Sequence, residues 1–281
     1  MSYWRTSNRE LNLDRALVMG ILNATPDSFS DGGWAFTLDD ALRRAEEIVS
    51  EGADIIDIGG ESTRPESERV SVDEEIRRVV PVIEGITRRF DTPVSVDTTK
   101  SEVASAAVEA GAEIINDISG LRFDAAVADI AAHRGTGLVL MHSRGTFETM
   151  HKQEPVADIL ADVSADFHRS ISLAKSRGVP PENIALDIGV GFGKTLEQNL
   201  ELIVKLDRLI QEFPEYPMLV GTSRKSFIGK ILGDVPADER LAGSLVTAAI
   251  AVQNGAKIVR VHDVKETVEA VKVMNAMAAT C

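Results

Sequence analysis

Polar and charged residues stand at the ends of the short apolar segments of this sequence. Two of them are the carboxylates Asp97 and Asp187, and a third is the amide Asn116. Such a set suits a ligand that presents several N–H donors side by side, as the edge of an aminopyrimidine does. The full set of segment-end residues is Asn23, Asp57, Asp97, Asn116, Asp117, His142, Asp187, Ser223, Arg260 and His262.

The first segment is followed by residues 23–33, which read Asn-Ala-Thr-Pro-Asp-Ser-Phe-Ser-Asp-Gly-Gly. About eleven residues exceed the roughly 2–6 of a usual strand-to-helix connection, which favours a functional loop. Asn23 offers a carbonyl oxygen suited to Mg²⁺ and an N–H suited to phosphate. Phe29 can anchor this loop or close over an aromatic substrate.

Residues 59–65 form a second such stretch and read Gly-Gly-Glu-Ser-Thr-Arg-Pro. Two glycines at a strand exit let an anion approach the backbone closely, and Arg64 can bind phosphate with two parallel hydrogen bonds. Either feature alone is weak evidence for anion binding; an arginine in a loop, for example, is more often a surface residue. Together they indicate an anion-binding loop.

The last two segments add positive charge. Lys225 and Ser226 would open a helix, whose N-terminal amides attract anions. Arg260 and His262 are two residues apart and are predicted to share one face of a strand. Arg260 can stack on a flat ring and also reach phosphate, while His262 can donate to that phosphate.

Some of these residues have a structural alternative. Asp97 precedes Thr98-Thr99-Lys100 and could cap the following helix instead of binding a ligand. Lone histidines are usually structural, and no role is predicted for His133, His151 or His168.

The apolar segments alternate with amphipathic helical patterns, which indicates βαβ units and a parallel sheet. Eight such units in about 265 residues predict closure into a single (β/α)8 TIM barrel. The predicted strands are Ala16–Asn23, Ala53–Gly59, Pro93–Asp97, Ile114–Ile118, Gly137–His142, Asn183–Ile188, Met218–Gly221 and Ile258–His262. The predicted helices include Leu38–Glu51, Asp73–Arg89, Ser101–Ala110, Val156–Arg177, Leu196–Phe213 and Val264–Met277.

This barrel is predicted to span residues 16–281 as one catalytic domain. Residues 1–15 are a short N-terminal extension, expected to form a small hairpin or strand that closes the barrel bottom. In barrel enzymes the chemistry lies on loops after the carboxyl ends of the strands, which is where the polar residues gather. Gly52, Gly111 and Gly255 each end a predicted helix in the left-handed conformation.

The composition of the chain limits the classes of partner that it can bind. A net charge of −14 argues against a nucleic-acid partner, which would need a basic surface. The only cysteine is Cys281, so no disulfide can form within the chain. Residues 1–15 lack the apolar core of a signal peptide, and the apolar stretch Leu241–Val252 is too short to span a bilayer. We therefore expect a cytoplasmic protein without a membrane partner.

Long runs of the sequence resemble the dihydropteroate synthases. The two most specific signatures are residues 19–33, Met-Gly-Ile-Leu-Asn-Ala-Thr-Pro-Asp-Ser-Phe-Ser-Asp-Gly-Gly, and residues 57–65, Asp-Ile-Gly-Gly-Glu-Ser-Thr-Arg-Pro. Matching segments follow at residues 95–98, 115–117, 140–142, 187–194, 223–226 and 260–263. The resemblance runs from about Ala16 to the C-terminus.

The resemblance implies substrates, Mg²⁺ and residue roles. This family condenses 4-aminobenzoate with (7,8-dihydropterin-6-yl)methyl diphosphate, and a homodimer is expected. The implied pterin-binding residues are Asp97, Asn116, Met141, Asp187, Phe192, Lys225 and Arg260, of which Asp97, Lys225 and Arg260 are the expected catalytic residues. The implied diphosphate-binding residues are Asn23, Thr63, Arg64, Arg260 and His262, with the metal near Asn23. Phe29, Pro65, Lys225 and Ser226 match the aminobenzoate side.

The sequence departs from the family pattern at Ala24, where a bulkier apolar residue is common, and at Glu66, where glycine is expected. Glu66 places a negative charge in a loop that meets an anionic substrate.

Two alternatives use the same barrel: a pterin-dependent methyltransferase and a catalytically silent pterin-binding paralogue. The methyltransferase would not need Arg64, Arg260 and His262 for diphosphate. A sugar-phosphate isomerase barrel would need a separate acid–base pair, which the sequence does not offer.

Overall fold

The structure is a computed structural model and describes residues 3–25, 37–63 and 67–278. Within these residues the strands form a two-stranded sheet and a closed eight-stranded barrel. The strands are β1 Tyr3–Arg5, β2 Glu10–Asn12, β3 Leu17–Asn23, β4 Ile55–Gly59, β5 Val94–Asp97, β6 Ile114–Asp117, β7 Gly137–Met141, β8 Ile184–Asp187, β9 Met218–Val220 and β10 Ile258–Val261.

The barrel is parallel throughout, in the order β3 to β10, and closes by pairing of β10 with β3. The prediction of a (β/α)8 barrel is confirmed. The register fixes which strand ends lie level: Asn23 pairs with Gly59, Gly59 with Asp97, and Asp97 with Asn116. On the next pair of strands, Met141 lies level with Asp187. The carboxyl ends therefore bring the predicted ligand-binding residues to one edge.

Helices surround the barrel and bury their apolar faces on the outside of the strands. They are α1 Leu38–Ser50, α2 Val72–Thr87, α3 Ser101–Glu109, α4 Ala126–Arg134, α5 Ile159–Ser176, α6 Leu196–Val204, α7 Leu206–Glu212, α8 Ser226–Ile231, α9 Leu241–Gln253 and α10 Val264–Ala278. None of the helices in the described ranges is long and apolar enough to cross a bilayer.

One predicted helix, Leu196–Phe213, is divided in two. It breaks at Lys205, whose backbone leaves the helical range at φ −102° and ψ 23°. The side chain of Asn254 donates to the carbonyl oxygens of Ile203 and Val204, at 2.9 and 3.2 Å. These bonds satisfy backbone acceptors that the break leaves without a helical partner.

The chain before the barrel forms a hairpin in which β1 and β2 pair antiparallel. Trp4 is fully buried, and its indole N–H donates to the carbonyl oxygen of Asn183 at 2.8 Å. The ring packs in one cluster with barrel-interior residues such as Met19 and Ile55. A large indole therefore fills the lower end of the barrel, which leaves the upper end for a ligand.

Candidate active site

A cavity opens at the carboxyl ends of the barrel strands, and we call it the mouth cavity. All the residues that the resemblance assigns to the pterin line it. The lining is Thr63, Asp97, Asn116, Ile118, Met141, Asp187, Gly189, Val190, Phe192, Gly221, Ser223, Lys225 and Arg260.

The floor of this cavity is a bridged pair of carboxylates. Arg260 donates through Nε to Asp57 Oδ2 at 2.6 Å and through a terminal nitrogen to Asp97 Oδ2 at 2.7 Å. Asn116 Nδ2 also donates to Asp57 Oδ2, at 3.2 Å. Asp57 is fully buried, so its negative charge needs the guanidinium beside it.

Sequence reasoning placed Asp57 at a strand end but gave it no role. The available signal was a lone aspartate within a wholly apolar buried strand, where an ionised side chain requires a partner. That partner, Arg260, lies 203 residues away in the sequence, so the pair could not be identified from spacing.

The helix-capping alternative for Asp97 is wrong. Helix α3 begins after Lys100 without a side-chain cap, and the Asp97 carboxylate instead accepts from Arg260. Burial raises the pKa of Asp97 to about 7, while the nearby guanidinium opposes that shift. Asp97 therefore faces the barrel interior as a carboxylate whose charge depends on Arg260.

Asp187 is held by the loop that follows it. Its Oδ1 accepts the backbone N–H of Gly189 at 2.8 Å. Among the described residues nothing donates to its other oxygen, and the side chain lines the mouth cavity. Gly189 has φ +63°, and a Cβ there would lie 1.8 Å from the carbonyl oxygen of His142, so only glycine fits.

Another part of the cavity wall is aromatic and cationic. Phe192 lines the mouth cavity, and the Lys225 ammonium lies 4.3 Å from its ring centroid. Burial, together with the charge of Arg260, lowers the pKa of Lys225 to about 8. Lys194 donates to the carbonyl oxygens of Gly189 and Phe192, at 2.7 and 3.2 Å, and so fixes the turn that carries the ring.

The residues assigned to diphosphate are divided between two cavities. Thr63 and Arg260 line the mouth cavity, whereas Asn23 and His262 line a second cavity of about 410 Å³, here called the side cavity. Strand β10 ends at Val261, so His262 lies one residue beyond it, and the sharing of one face by Arg260 and His262 stays a prediction. Arg64 lies outside the described residues.

The two cavities are close at Gly59. A Cβ on Gly59 would lie 3.9 Å from Asn23 Oδ1 and 3.7 Å from Asp97 Cβ. The absent side chain leaves the Asn23 amide beside the Asp97 carboxylate. Asn23 and Asp97 therefore lie on either side of the space that a side chain at position 59 would occupy.

The contacts of His262 with Ser223 favour one tautomer of its ring. Its backbone N–H donates to Ser223 Oγ at 3.1 Å, and its Nδ1 lies 3.1 Å from the same oxygen. The hydroxyl can donate its own hydrogen to Nδ1, which leaves the imidazole proton on Nε2. Burial, together with the charges of Arg260 and Arg224, lowers the pKa of His262 to about 3, so the ring is neutral near pH 7.

The residues assigned to aminobenzoate are only partly described. Lys225 lines the mouth cavity, and Ser226 is exposed at the first position of α8. Phe29 and Pro65 lie outside the described residues, as does Glu66. Ala24 is buried, and its N–H donates to the Gly59 carbonyl oxygen at 2.8 Å, so its small side chain fits the barrel wall.

The chain is similar to known proteins in both sequence and structure. Residues 19–262 match the family model described as pterin binding enzyme. Dihydropteroate synthase of Bacillus subtilis is 49% identical over 264 residues, which cover 94% of this chain and 89% of that protein. The Yersinia pestis dihydropteroate synthase, solved as a sulfonamide drug complex, superposes with a TM-score of 0.93 at 44% identity and covers 99% of both chains. The Xanthomonas albilineans enzyme with 4-aminobenzoic acid gives a TM-score of 0.92 at 42% identity, covering 99% of this chain and 98% of that one. The chain therefore belongs to the dihydropteroate synthases, within the family of pterin binding enzymes.

Proposed function

We propose that the mouth cavity joins 4-aminobenzoate to (7,8-dihydropterin-6-yl)methyl diphosphate, and releases 7,8-dihydropteroate and diphosphate. The observation that carries the proposal is the polar floor: Arg260 bridges two carboxylates while Asp187 turns a carboxylate oxygen to the cavity. Similar proteins solved with 4-aminobenzoic acid and with 7,8-dihydropteroate support the two substrate halves.

The pterin lies with its donor edge toward the acceptors of the floor. Asp187 accepts N–H groups of the aminopyrimidine, and Asp97 and Asn116 meet the rest of the ring edge. Met141 and Phe192 form the apolar sides of the slot, because both are buried and line the cavity. The planar guanidinium of Arg260 stacks across the ring while its two hydrogen bonds keep it in place.

The leaving group is bound by neutral and cationic donors. Thr63 and Arg260 contact the diphosphate from the mouth cavity. Arg64, which lies outside the described residues, is assigned to the diphosphate by the family resemblance alone. His262 donates through Nε2, the nitrogen that Ser223 leaves protonated. Bond breaking places the electron pair of the carbon–oxygen bond on diphosphate, so these donors stabilise the charge that develops.

Mg²⁺ is part of the proposal, with the amide oxygen of Asn23 as its protein ligand. The described residues contain no group of three or more His, Cys, Asp or Glu that could hold a metal by themselves. Mg²⁺ commonly takes one or two protein oxygens together with substrate phosphates and waters, and Asn23 fits that pattern. The ion would neutralise charge on the diphosphate.

The new carbon–nitrogen bond forms at the methylene carbon from which diphosphate has departed. That carbon is cationic, and the nearby carboxylates of Asp97 and Asp187 stabilise its positive charge. The aryl amine attacks it with its nitrogen lone pair and then loses one proton. No covalent bond to the protein is required at any stage.

The decisive experiment incubates the purified protein with both substrates and Mg²⁺ and measures dihydropteroate and diphosphate. Equal amounts of the two products support the proposal. Tight pterin binding without product would indicate the silent paralogue, and methyl transfer from a folate to a corrinoid would indicate the methyltransferase. Arg260 and His262 favour the synthase, because the methyltransferase has no diphosphate to bind.

The pKa of Lys225 predicts the pH above which activity should fall. The pKa of its ammonium is lowered to about 8, and a lysine loses its charge as the pH rises through its pKa. We therefore expect kcat/KM, which reports the free enzyme, to fall about tenfold per pH unit above about pH 8. Lys225→Met should lower kcat/KM about thirtyfold at pH 7, because it removes a charged contact worth about 2 kcal/mol. In this variant kcat/KM should no longer fall as the pH rises above about 8.

The control for this prediction is Lys230→Met, which removes an exposed lysine from the same helix. It should change neither the rate nor the pH profile. If activity still falls above pH 8 in Lys225→Met, another group causes the fall. The first candidate is the half-buried Lys194, whose pKa is lowered to about 7.

A homodimer and a cytoplasmic location complete the proposal. Exposed apolar side chains lie on α9 and on α6 and α10, each of which packs against α9: Leu200, Val204, Val246, Ile250 and Val273. Exposed apolar side chains gathered on neighbouring helices are typical of an interface. The single cysteine fits a reducing compartment.

The dimer can be tested at Val246, whose side chain is 57% exposed. Val246→Lys would place a charge in the interface, so sedimentation velocity should show a monomer at concentrations where the unaltered chain is a dimer. Leu38→Lys on α1 is the matched control and should leave the dimer intact. A monomeric unaltered chain would contradict the proposal.

A further inference from the structure

The connection between β9 and α8, residues 221–225, makes a tight turn at the mouth cavity; we call it the β9 turn. The backbone N–H of Lys225 donates to the carbonyl oxygen of Thr222 at 3.2 Å and closes the turn. Arg224 stands at its third position with φ +58°. Glycine is preferred at such a position, because the Cβ of any other residue comes close to the following carbonyl oxygen. Arg224 is therefore held in a conformation that costs free energy.

The backbone of Arg224 is fixed by hydrogen bonds on both sides. Its N–H donates to the hydroxyl oxygen of Ser244 at 2.9 Å, and its carbonyl oxygen accepts from the Arg240 guanidinium at 2.9 Å. Arg240 immediately precedes α9, and Ser244 lies buried in the first turn of that helix. The start of α9 thus holds the β9 turn in place.

The guanidinium of Arg240 is itself confined. It donates to the carbonyl oxygen of Val235 through Nε and through a terminal nitrogen, at 3.0 and 2.8 Å. It also lies against Gly229 of α8, where a Cβ would come within 2.6 Å of Nε. Arg240 therefore presents a fixed donor to the β9 turn rather than a freely rotating side chain.

The side chain of Arg224 fixes the turn from another direction. It donates to both carboxylate oxygens of Asp263, which lies two residues beyond the end of β10. A glycine at position 224 would lack this ion pair. The pair offsets part of the cost of the left-handed backbone.

Lys225 is the residue that the β9 turn directs into the site. Its stem lies against Gly191, where a Cβ would be 3.2 Å from Lys225 Cδ, and its ammonium lies 4.3 Å from the centroid of the Phe192 ring. The direction in which this side chain leaves the backbone depends on the peptide group that joins it to Arg224. Arg240 donates to the carbonyl oxygen of that same peptide group.

We propose that Arg240 and Ser244 are positioning residues that hold Arg224 in its left-handed conformation and so direct Lys225 into the mouth cavity. Neither is among the described residues that line that cavity. The kinetic reading of this inference rests on the proposed function, in which Lys225 meets the substrates. The direction of Lys225 can also be followed through pterin binding alone.

The test is a double-mutant cycle between Arg240 and Lys225. Arg240→Met removes the donors but keeps a long side chain, and it should lower kcat/KM for the pterin substrate about tenfold, as for loss of a charged hydrogen bond. In a chain that already carries Lys225→Met, the same substitution should lower kcat/KM less than about twofold, because the residue through which it acts is gone. Ser244→Ala enters the same cycle as a second variant, and takes the place of Arg240→Met if that variant does not fold.

The pH profile gives a second measurement. Burial and the charge of Arg260 lower the pKa of Lys225 to about 8 in the unaltered chain. A Lys225 that is no longer directed into the cavity should regain part of its ordinary pKa, so in Arg240→Met the fall of kcat/KM should begin about one pH unit higher. The charged and titratable groups that face Lys225 are Arg260, His262, Asp97, Asp187 and Lys194, and neither substitution removes any of them.

The left-handed conformation is tested by Arg224→Gly against Arg224→Ala. Both variants lose the ion pair with Asp263, but glycine adopts a positive φ freely and alanine does not. We expect kcat/KM to be at least about threefold higher in Arg224→Gly than in Arg224→Ala. Equal values in the two variants would show that the conformation of residue 224 does not direct Lys225.

Thr247→Val and Arg15→Met are the matched controls. The hydroxyl of Thr247 donates to the carbonyl oxygen of Gly243 within α9, and Arg15 donates to the carbonyl oxygen of Ala16 at the lower end of the barrel. Both variants should leave kcat/KM and its pH profile unchanged.

The inference is overturned if Arg240→Met lowers kcat/KM by the same factor with and without Lys225, since a residue needed only for folding would do so. If the unaltered chain makes no dihydropteroate, the proposed function fails, but calorimetry with a pterin that lacks the diphosphate still decides this inference. Arg240→Met should then weaken pterin binding in the unaltered chain and leave it unchanged in the chain with Lys225→Met. Equal weakening in both would refute the positioning role.

Discussion

Arg260→Met is expected to lower kcat/KM for the pterin substrate by about three orders of magnitude. The substitution keeps the length of the side chain but removes the charge that bridges Asp57 and Asp97. Removing one partner of a buried ion pair costs about 3–5 kcal/mol, because the remaining charge is left uncompensated. The same guanidinium is proposed to bind the leaving diphosphate, so binding and chemistry fall together.

The measurement is steady-state kinetics combined with thermal melting. The double variant Asp97→Asn with Arg260→Met neutralises one of the stranded carboxylates, so it should regain melting temperature without regaining activity. Arg9→Met is the matched control, because Arg9 pairs at 2.7 Å with the buried Glu113 at the other end of the barrel. It should lower stability and leave kcat/KM within about threefold. A folded Arg260→Met variant that retains a tenth of the activity would refute the assignment.

The fold was predictable because each strand is a short apolar run with a polar residue at its end. Predicted and observed strands agree within about two residues; for example, Ala16–Asn23 was predicted and Leu17–Asn23 is observed. Glycine marks the helix ends correctly, with φ +95° at Gly52 and +112° at Gly111. These are local signals, and local signals are what a sequence carries most directly.

The break at Lys205 was not predictable in this way. The pattern of residues 196–213 remains helical across it, and the side chain of Asn254 that satisfies the freed carbonyls comes from another helix end. The same reason applies to Arg240, to which sequence reasoning gave no role. Its contact with the Arg224 carbonyl oxygen depends on the path of residues 232–236, a connection that has no regular period.

The position of the candidate site was predictable, because a parallel barrel brings the carboxyl ends of its strands to one edge. Asp97, Asn116 and Asp187 converge because the register sets them at one edge. Side-chain partners were less predictable. Whether Asp97 would cap a helix or meet an arginine depends on Arg260, which pairs across the barrel interior rather than between neighbouring strands.

Asp187→Asn is expected to weaken pterin binding by about 2–4 kcal/mol, which is roughly 30- to 1000-fold. Oδ1 of Asp187 accepts the Gly189 N–H, so the amide of the variant would keep its oxygen on that bond. Its NH₂ group would then face the N–H donors of the pterin. Two hydrogen-bond donors would then face each other in a buried site, and the charged acceptor of the pterin would be lost, so both changes weaken binding.

Isothermal titration calorimetry with a pterin that lacks the diphosphate isolates this effect from the leaving-group contacts. Asp117→Asn is the matched control, since Asp117 is also a buried aspartate at a strand end. Its oxygens accept from Ser119 and from the backbone N–H of Leu121, at 2.7 and 2.7 Å, and it does not line the mouth cavity. Asp117→Asn should therefore lower the melting temperature and leave pterin affinity within about threefold. If Asp187→Asn binds the pterin as tightly as the unaltered chain, the donor edge of the ring does not lie on Asp187, and the orientation proposed for the substrate must be abandoned.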